Sequence, residues 1–183
     1  SLGSILKDLG RLEEARQSYE QAIKLKPDYA EAYYNSGVTL QDLGRLEEAE
    51  KNIRQAIKLK PDYAETHYNL GNTLKELNRL EEARQSYEQA IKLRPDNCEA
   101  YYNLGIILQD LGRLEEARQS YEQAIKLKPD YTEAYNNLSI TLKDLGRLEE
   151  AEKNIRQAIK LKPDYAEAYN NLGGILNDLG RLE

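Results

Sequence analysis

The sequence has no Met, Trp or Phe, and only one Cys and one His in 183 residues. Each scarcity removes a class of reading. A single cysteine, Cys98, cannot close an internal disulfide, so a disulfide-stapled fold is excluded and a reducing, cytoplasmic setting is expected. Cys98 and His67 together fall short of the four ligands of a structural zinc site. No apolar run approaches the ~18 residues of a membrane span. No charged segment leads into an apolar stretch at the start of the chain, so no signal peptide is expected there. A basic excess is missing too. Lys and Arg number 26 against 32 Asp and Glu, a net charge of -6. Proteins that grip nucleic acid need a basic stripe to displace phosphate counterions, so nucleic acid is not an expected partner. The absent Met fits a piece excised from a longer chain.

What is present is repetition. Proline stands at 27, 61, 95, 129 and 163, always 34 residues apart. Around it the text recurs as IKLKPDY, with IKLRPDN once, and between prolines runs DLGRLEEA, with ELNRLEEA as its variant at 76–83. A fixed period of this size marks a solenoid of stacked supersecondary units, each too small to bury both faces alone. Within one unit, Tyr33, Ser36, Gly37, Leu40 and Leu43 recur at the three- and four-residue steps of a helix face. Gly44 then suits a left-handed C-cap. A second helix is predicted to start near Glu47 and Glu48, whose carboxylates suit a helix N-terminus, and to run through Ala49, Ile53, Ala56 and Ile57 until Pro61 stops it. Asp62 and Glu65 have the spacing of a capping box for the next helix, and the same pair recurs at 28/31, 96/99, 130/133 and 164/167.

The residues Tyr101, Leu104, Gly105, Leu108, Ala117, Tyr121, Ala124 and Pro129 resemble the 34-residue pattern of tetratricopeptide repeats. The resemblance covers the whole chain as one solenoid, 1–183, with complete repeats at 30–63, 64–97, 98–131 and 132–165 and partial ones at 1–29 and 166–183. Tyr stands where the family usually has Trp, Ser36 and Ser139 interrupt the Leu-Gly pair, and Asn78 replaces a turn glycine. The resemblance implies an all-α, right-handed superhelix of antiparallel helix pairs, about 11 helices in all. Small residues such as Gly105 and Ala117 would let helices approach, with Tyr101, Leu104, Leu108 and Tyr121 filling the core. Truncating Tyr101 to Ala is then expected to cost ~3 kcal/mol.

Chemistry is sparse. His67 falls in the row of Tyr33, Tyr101, Tyr135 and Tyr169, the place of a packed aromatic, and no third group orients a Cys–His pair. Glu-Glu pairs such as Glu115–Glu116 are explained by the helix N-terminus, no Gly-rich phosphate loop appears, and the glycosylation pattern Asn137-Leu138-Ser139 lies inside a predicted helix. No catalytic residue, metal or cofactor is expected.

The resemblance implies that the first helices line a concave groove. There one row reads Asn35, Asn69, Asn103, Asn137 and Asn171. Side-chain amides offer donors and acceptors to an extended backbone. The row is similar to the asparagine ladder of O-linked N-acetylglucosamine transferases, although Asn here is also common in the family at large. A second row reads Tyr34, Tyr68, Tyr102, Asn136 and Asn170, open to two readings, contact with a ligand or packing on the next repeat. Two further rows vary, Ser4, Val38, Asn72, Ile106, Ile140, Gly174 and Lys7, Gln41, Lys75, Gln109, Lys143, Asn177, consistent with specificity residing there. Carboxylates at Glu31, Glu65, Glu99, Glu133 and Glu167, with Asp42, Glu76, Asp110, Asp144 and Asp178, give the rim an acidic cast.

The expected function is therefore a non-catalytic scaffold holding a partner protein or an extended, neutral-to-basic peptide. The alternatives are a structural spacer or an element whose copies associate head to tail, and a substrate-recruiting array cut from a larger enzyme. The second helices come in two types, EEARQSYEQAI (13–23, 81–91, 115–125) and EEAEKNIRQAI (47–57, 149–159), with the charge pair reversed. Such near-perfect repetition is also what a consensus-derived design carries.

Overall fold

The computed structural model describes residues 2–180, except for the side chains of Lys7 and Asp8. Within them the chain forms eleven α-helices and no strand. They fall into two compact units, residues 1–95 and 96–183. The first holds α1 (Leu2–Asp8), α2 (Leu12–Leu25), α3 (Ala30–Asp42), α4 (Leu46–Leu59), α5 (Ala64–Glu76) and α6 (Leu80–Leu93). The second holds α7 (Cys98–Asp110), α8 (Leu114–Leu127), α9 (Thr132–Asp144), α10 (Leu148–Leu161) and α11 (Ala166–Asp178). In both, each helix packs chiefly on its sequence neighbours, and the first helices of successive pairs also touch, α3 with α5 and α7 with α9.

The turn inside each pair is fixed by backbone chemistry. Gly44 sits at φ 71°, its N–H bonds to the Gln41 carbonyl at 2.8 Å, and Arg45 N–H reaches back to Leu40 at 2.9 Å. These two bonds are a Schellman cap, which satisfies carbonyls that the helix leaves orphaned. Asn78 does the same work at φ 57°, with Arg79 N–H on Leu74 at 2.8 Å. A short polar side chain tolerates the left-handed conformation, so that turn keeps its form.

The arginine of DLGRLEEA gains a role the sequence reading did not give it. Arg45 is the N-cap residue of α4 and forks onto Glu48 with both contacts at 2.7 Å. Arg79–Glu82, Arg113–Glu116 and Arg147–Glu150 repeat the fork. No side chain bonds a backbone N–H at these N-caps, and the carboxylate held by its arginine instead sits beside the positive end of the helix.

Two expectations are corrected. The Asp-x-x-Glu pairs do not form capping boxes. The N-caps are Tyr29, Tyr63, Tyr131 and Tyr165, none with a side-chain cap bond, so each Asp stands one residue too early in the turn after proline. Asn97 alone among these caps, its side chain accepting Ala100 N–H at 3.1 Å. Tyr101 is half-buried rather than core, because the fully enclosed ring of its repeat is Tyr121, at 0% exposure.

The core joins first-helix residues such as Leu74, Ile107 and Leu142 to second-helix residues that face small first-helix ones. Tyr87 and Tyr121 lie against Gly71 and Gly105, where an added Cβ would meet the ring at 2.6 Å. In the other repeat type Ile53 faces Gly37 and Ile155 is buried in the repeat of Ser139. At Gly71 and Gly105 an aromatic ring occupies the space of a side chain.

Candidate functional site

A largely half-buried polar face of the first helices collects the rows singled out in the sequence. Tyr34 projects from α3 toward α5, where its ring meets Tyr63 edge-on at 5.7 Å and 70°. Its hydroxyl donates to Glu65 Oε1 at 3.2 Å and accepts from Asn69 Nδ2 at 2.9 Å. The second amide contact of Asn69 goes to the Glu65 carbonyl at 2.9 Å. Both donor directions of Asn69 are therefore spent inside the protein, and among the described residues no group donates to its Oδ1. Burial first, and then the Glu65 carboxylate, push the Tyr34 hydroxyl well above its ordinary value, so it stays protonated and able to donate.

The second unit repeats the link with a change. Asn137 Nδ2 donates to Tyr102 Oη at 3.2 Å, and the Tyr102 ring lies 4.8 Å from Tyr131. One repeat on, Asn136 stands where a Tyr would. It is fully buried, donates to Glu167 Oε1 at 3.2 Å and to Asn137 Oδ1 at 3.3 Å, and accepts from Asn171 Nδ2 at 2.9 Å. The structure thus brings together Tyr34 with Asn69, Tyr102 with Asn137, and Asn136 with Asn171. Asn35 is half-buried beside a cavity of about 350 Å³ shared with Tyr19 and Tyr29. Tyr68 meets Tyr87 at 5.9 Å, Asn103 is half-buried on α7, and Asn170 is exposed on α11. Packing on the next repeat is realised for Tyr34 and Tyr102.

The variable rows also have a packing cause. The hydroxyl of Tyr87 donates to Asn72 at 2.8 Å, and that of Tyr19 shares a hydrogen bond with Ser4 at 3.2 Å. Val38 and Ile140 occupy the same row where the second helix carries Ile53 or Ile155, which ask for no polar partner. In the repeat of Ile106 the Tyr121 hydroxyl turns instead to Gln109 Oε1 at 3.1 Å. Gln41 Nε2 reaches Thr73 Oγ1 at 2.7 Å, and Lys143 pairs with Asp178 at 3.3 Å. The side chain of Lys7 lies outside the described residues.

The two reactive residue types sit in quiet surroundings. His67 Nε2 is 2.8 Å from the Pro61 carbonyl, tying α5 to the turn before it. Cys98 donates its thiol to Glu99 Oε2 at 3.2 Å, and burial first, then that carboxylate, push its pKa up, away from a nucleophilic thiolate. Asn137 and Ser139 of the glycosylation pattern lie within α9, Ser139 fully buried. Among the described residues no group of His, Cys, Asp and Glu is placed to share a metal ion, and no helix is long and apolar enough to cross a membrane.

Two contributors escaped the sequence reading. Tyr63 and Tyr131 belong to turns, yet they wall the site opposite Tyr34 and Tyr102. The signal available was the KPDY phrase, in which the lysine ammonium lies over the tyrosine ring, at 4.9 Å for Lys60–Tyr63 and 4.7 Å for Lys128–Tyr131.

Family profiles described as "TPR repeat" match residues 3–44, 37–78 and 71–112, and one described as "Tetratricopeptide repeat" matches 96–164. The chain belongs to the tetratricopeptide repeat family. A comparison with curated proteins returns no match. Among solved structures, MamA is similar with a TM-score of 0.86 at 25% identity over 91% of this chain and 98% of its own. YrrB, described as a tetratricopeptide repeat protein with an unusual peptide-binding site, has a TM-score of 0.83 at 25% identity, over 92% of this chain and 87% of its own. PilF of Pseudomonas aeruginosa, at 20% identity, shares the fold with a TM-score of 0.84 over 98% of this chain and 82% of its own. Tetratricopeptide repeat arrays are in general non-catalytic scaffolds that bind proteins or peptides.

Proposed function

We propose that the first-helix face of this tetratricopeptide repeat array binds an extended peptide, neutral to basic in charge, through the carbonyl oxygens of its asparagine row. The observation that carries the reading is Asn69. Its amide is oriented by Tyr34 and by the Glu65 carbonyl, which leaves Oδ1 as a fixed acceptor. An extended chain presents N–H groups with a regular repeat, so acceptors like Asn69 Oδ1 recognise main chain with little regard to sequence, while at Asn137 the peptide competes with Asn136, which donates to that carbonyl at 3.3 Å. Glu31 and Glu65 make no ion pair among the described residues, which favours a cationic partner over an acidic one. The peptide-binding description of YrrB is consistent with this use of the fold. The reading takes residues 1–183 as one continuous array, and the single Cys98 fits a reducing, cytoplasmic setting.

The test is fluorescence anisotropy with a pool of capped, unstructured peptides of Gly, Ser, Ala and Lys. Wild type is compared with an Asn69→Ala, Asn103→Ala, Asn137→Ala variant whose helicity is checked by circular dichroism. Binding that is lost while helicity is kept supports the reading, and undiminished binding overturns it. A second reading, association of copies through their ends, is favoured by Leu2, Ile5 and Leu9, which expose 65%, 57% and 66% of their surface on and just after α1. A solution mass that rises with concentration, and no longer does so in an Ile5→Ser variant, would support it.

A further inference from the structure

Between α3, α4 and α5 lies a small cavity of about 100 Å³ lined by Glu31, Tyr34, Ala56, Lys60, Tyr63 and Thr66. Water occupies about 30 Å³ in the liquid. The space therefore suits the head of an alkyl cation, not a length of peptide. Its walls are chemically matched to such a head. Two tyrosine rings stand at 70° with centroids 5.7 Å apart. Both hydroxyls donate to the same carboxylate, Tyr34 to Glu65 Oε1 at 3.2 Å and Tyr63 to Oε2 at 3.4 Å. Glu31 adds a second carboxylate to the lining. The rings already show what they attract, because the exposed Lys60 ammonium lies 4.9 Å from the Tyr63 centroid without a carboxylate partner among the described residues. Aromatic faces draw cations through the ring quadrupole, and partial burial strengthens the attraction.

We propose that this cavity is a cation subsite of the peptide face, where a lysine or arginine side chain of the bound peptide lies against Tyr34 and Tyr63 with its charge toward Glu31 and Glu65. The proposal rests on the peptide-binding reading above and names the side chain that this part of the face selects. The same four residue types recur in the second unit as Tyr102, Tyr131, Glu99 and Glu133, with Lys128 over Tyr131 at 4.7 Å. There the ring centroids stand 4.8 Å apart at 38°. In the first unit the cavity of about 100 Å³ opens beside the ring pair and gives a side chain room to enter. Lys60 is its internal competitor, and removing that ammonium frees the Tyr63 ring.

The experiment uses capped peptides of Gly, Ser and Ala that differ only in a central Lys, norleucine or Glu, titrated by calorimetry at low salt. Wild type is expected to bind the lysine peptide roughly fivefold or more tighter than the norleucine peptide, with the glutamate peptide weakest. A Glu31→Gln, Glu65→Gln variant is expected to lose that preference and to bind the lysine and norleucine peptides alike. Lys60→Ala, which leaves the helices untouched, is expected to strengthen lysine binding severalfold. Equal affinity of wild type for lysine and norleucine peptides would overturn the subsite while leaving the peptide face standing. A lysine preference that survives Glu31→Gln, Glu65→Gln would also overturn it, because the charge would then be sensed elsewhere. If no peptide binds at all, the peptide-face reading fails and the subsite falls with it.

Discussion

Helices α4 and α8 occupy the same place in successive kinds of repeat, yet they hold their surroundings differently. In α8 the arginine at the fifth helical position, Arg118, is taken up within its own helix, by Glu115 at 2.6 Å and by Glu122. Toward the next pair Glu115 makes a longer contact to Arg147, at 3.8 Å. In α4 the charges are reversed. Glu50 takes Arg54 at 2.7 Å and reaches Arg79 of the next pair at 2.6 Å, while Arg54 reaches Glu82 at 3.0 Å. One type therefore caps and stiffens a helix, and the other ties two repeats together. The core beneath changes in step: α8 buries Tyr121 against Gly105 and hands its hydroxyl to Gln109, whereas α4 buries Ile53 with no polar group to satisfy. The lesson is that a second-helix change alters what the first-helix residues above it must satisfy, so part of the variety on the first-helix face is written by the core below it.

The comparison breaks most visibly at the buried side chains. Tyr121→Ala is expected to cost about 3–5 kcal/mol, through lost burial and the cavity left behind. Tyr101→Ala, at a half-buried ring of the same repeat, should cost ~1–2 kcal/mol, since the exposed part of the ring contributes nothing to transfer. Denaturant midpoints of the two variants settle the order, and equal losses would contradict the core assignment.

The next effect concerns the small residue facing the ring. Gly105→Ser is expected to cost ~1–3 kcal/mol, because the new Cβ would press on Tyr121, a rigid ring with no way to fold aside. Gly37→Ser should cost less, as the second unit already tolerates Ser139 in the repeat of Ile155. Adding Tyr121→Ile to Gly105→Ser should recover part of the loss, a coupling that a double-mutant cycle reads directly. Strict additivity would show that the two positions do not constrain each other.

Smaller still is the electrostatic difference. Glu50→Gln is expected to lower the melting temperature more than Glu115→Gln, since only Glu50 makes a close bridge to the next repeat. The gap should shrink in about 1 M salt, where exposed pairs are screened. The smallest effect is common to both types. Glu14, Glu48, Glu82, Glu115 and Glu150 are held below the ordinary carboxylate value of 4.5, first by hydrogen bonds from their arginines. Carboxylates depressed in the folded state contribute stability that is complete above about pH 5 and lost as the pH falls through their folded values. Melting temperature should be flat above that point and decline below it, without distinguishing the repeat types.

The fold was legible because its signals are local and repeated. Proline, the turn glycine and the spaced small residues act within one helix pair, and five proline turns state the same rule. The capping boxes were misread because Asp-x-x-Glu after proline looks like a cap, while the turn geometry puts Tyr63 at the N-cap. Tyr101 was misread because helical periodicity gives a face, not a depth. The asparagine and tyrosine rows were visible as rows, but their mutual bonds were not. Tyr34 and Asn69 are 35 residues apart, and only stacking brings them to 2.9 Å. Tyr63 was hidden in a turn phrase whose repetition read as punctuation.

The central claim is that asparagine carbonyls such as Asn69 Oδ1 accept hydrogen bonds from a peptide main chain. The direct measurement compares the central-lysine peptide with a version in which alternate backbone amides are replaced by esters, titrated against wild type. Removing donors that the row uses should weaken binding by roughly tenfold for each bond lost. Equal affinity for amide and ester peptides would contradict the account.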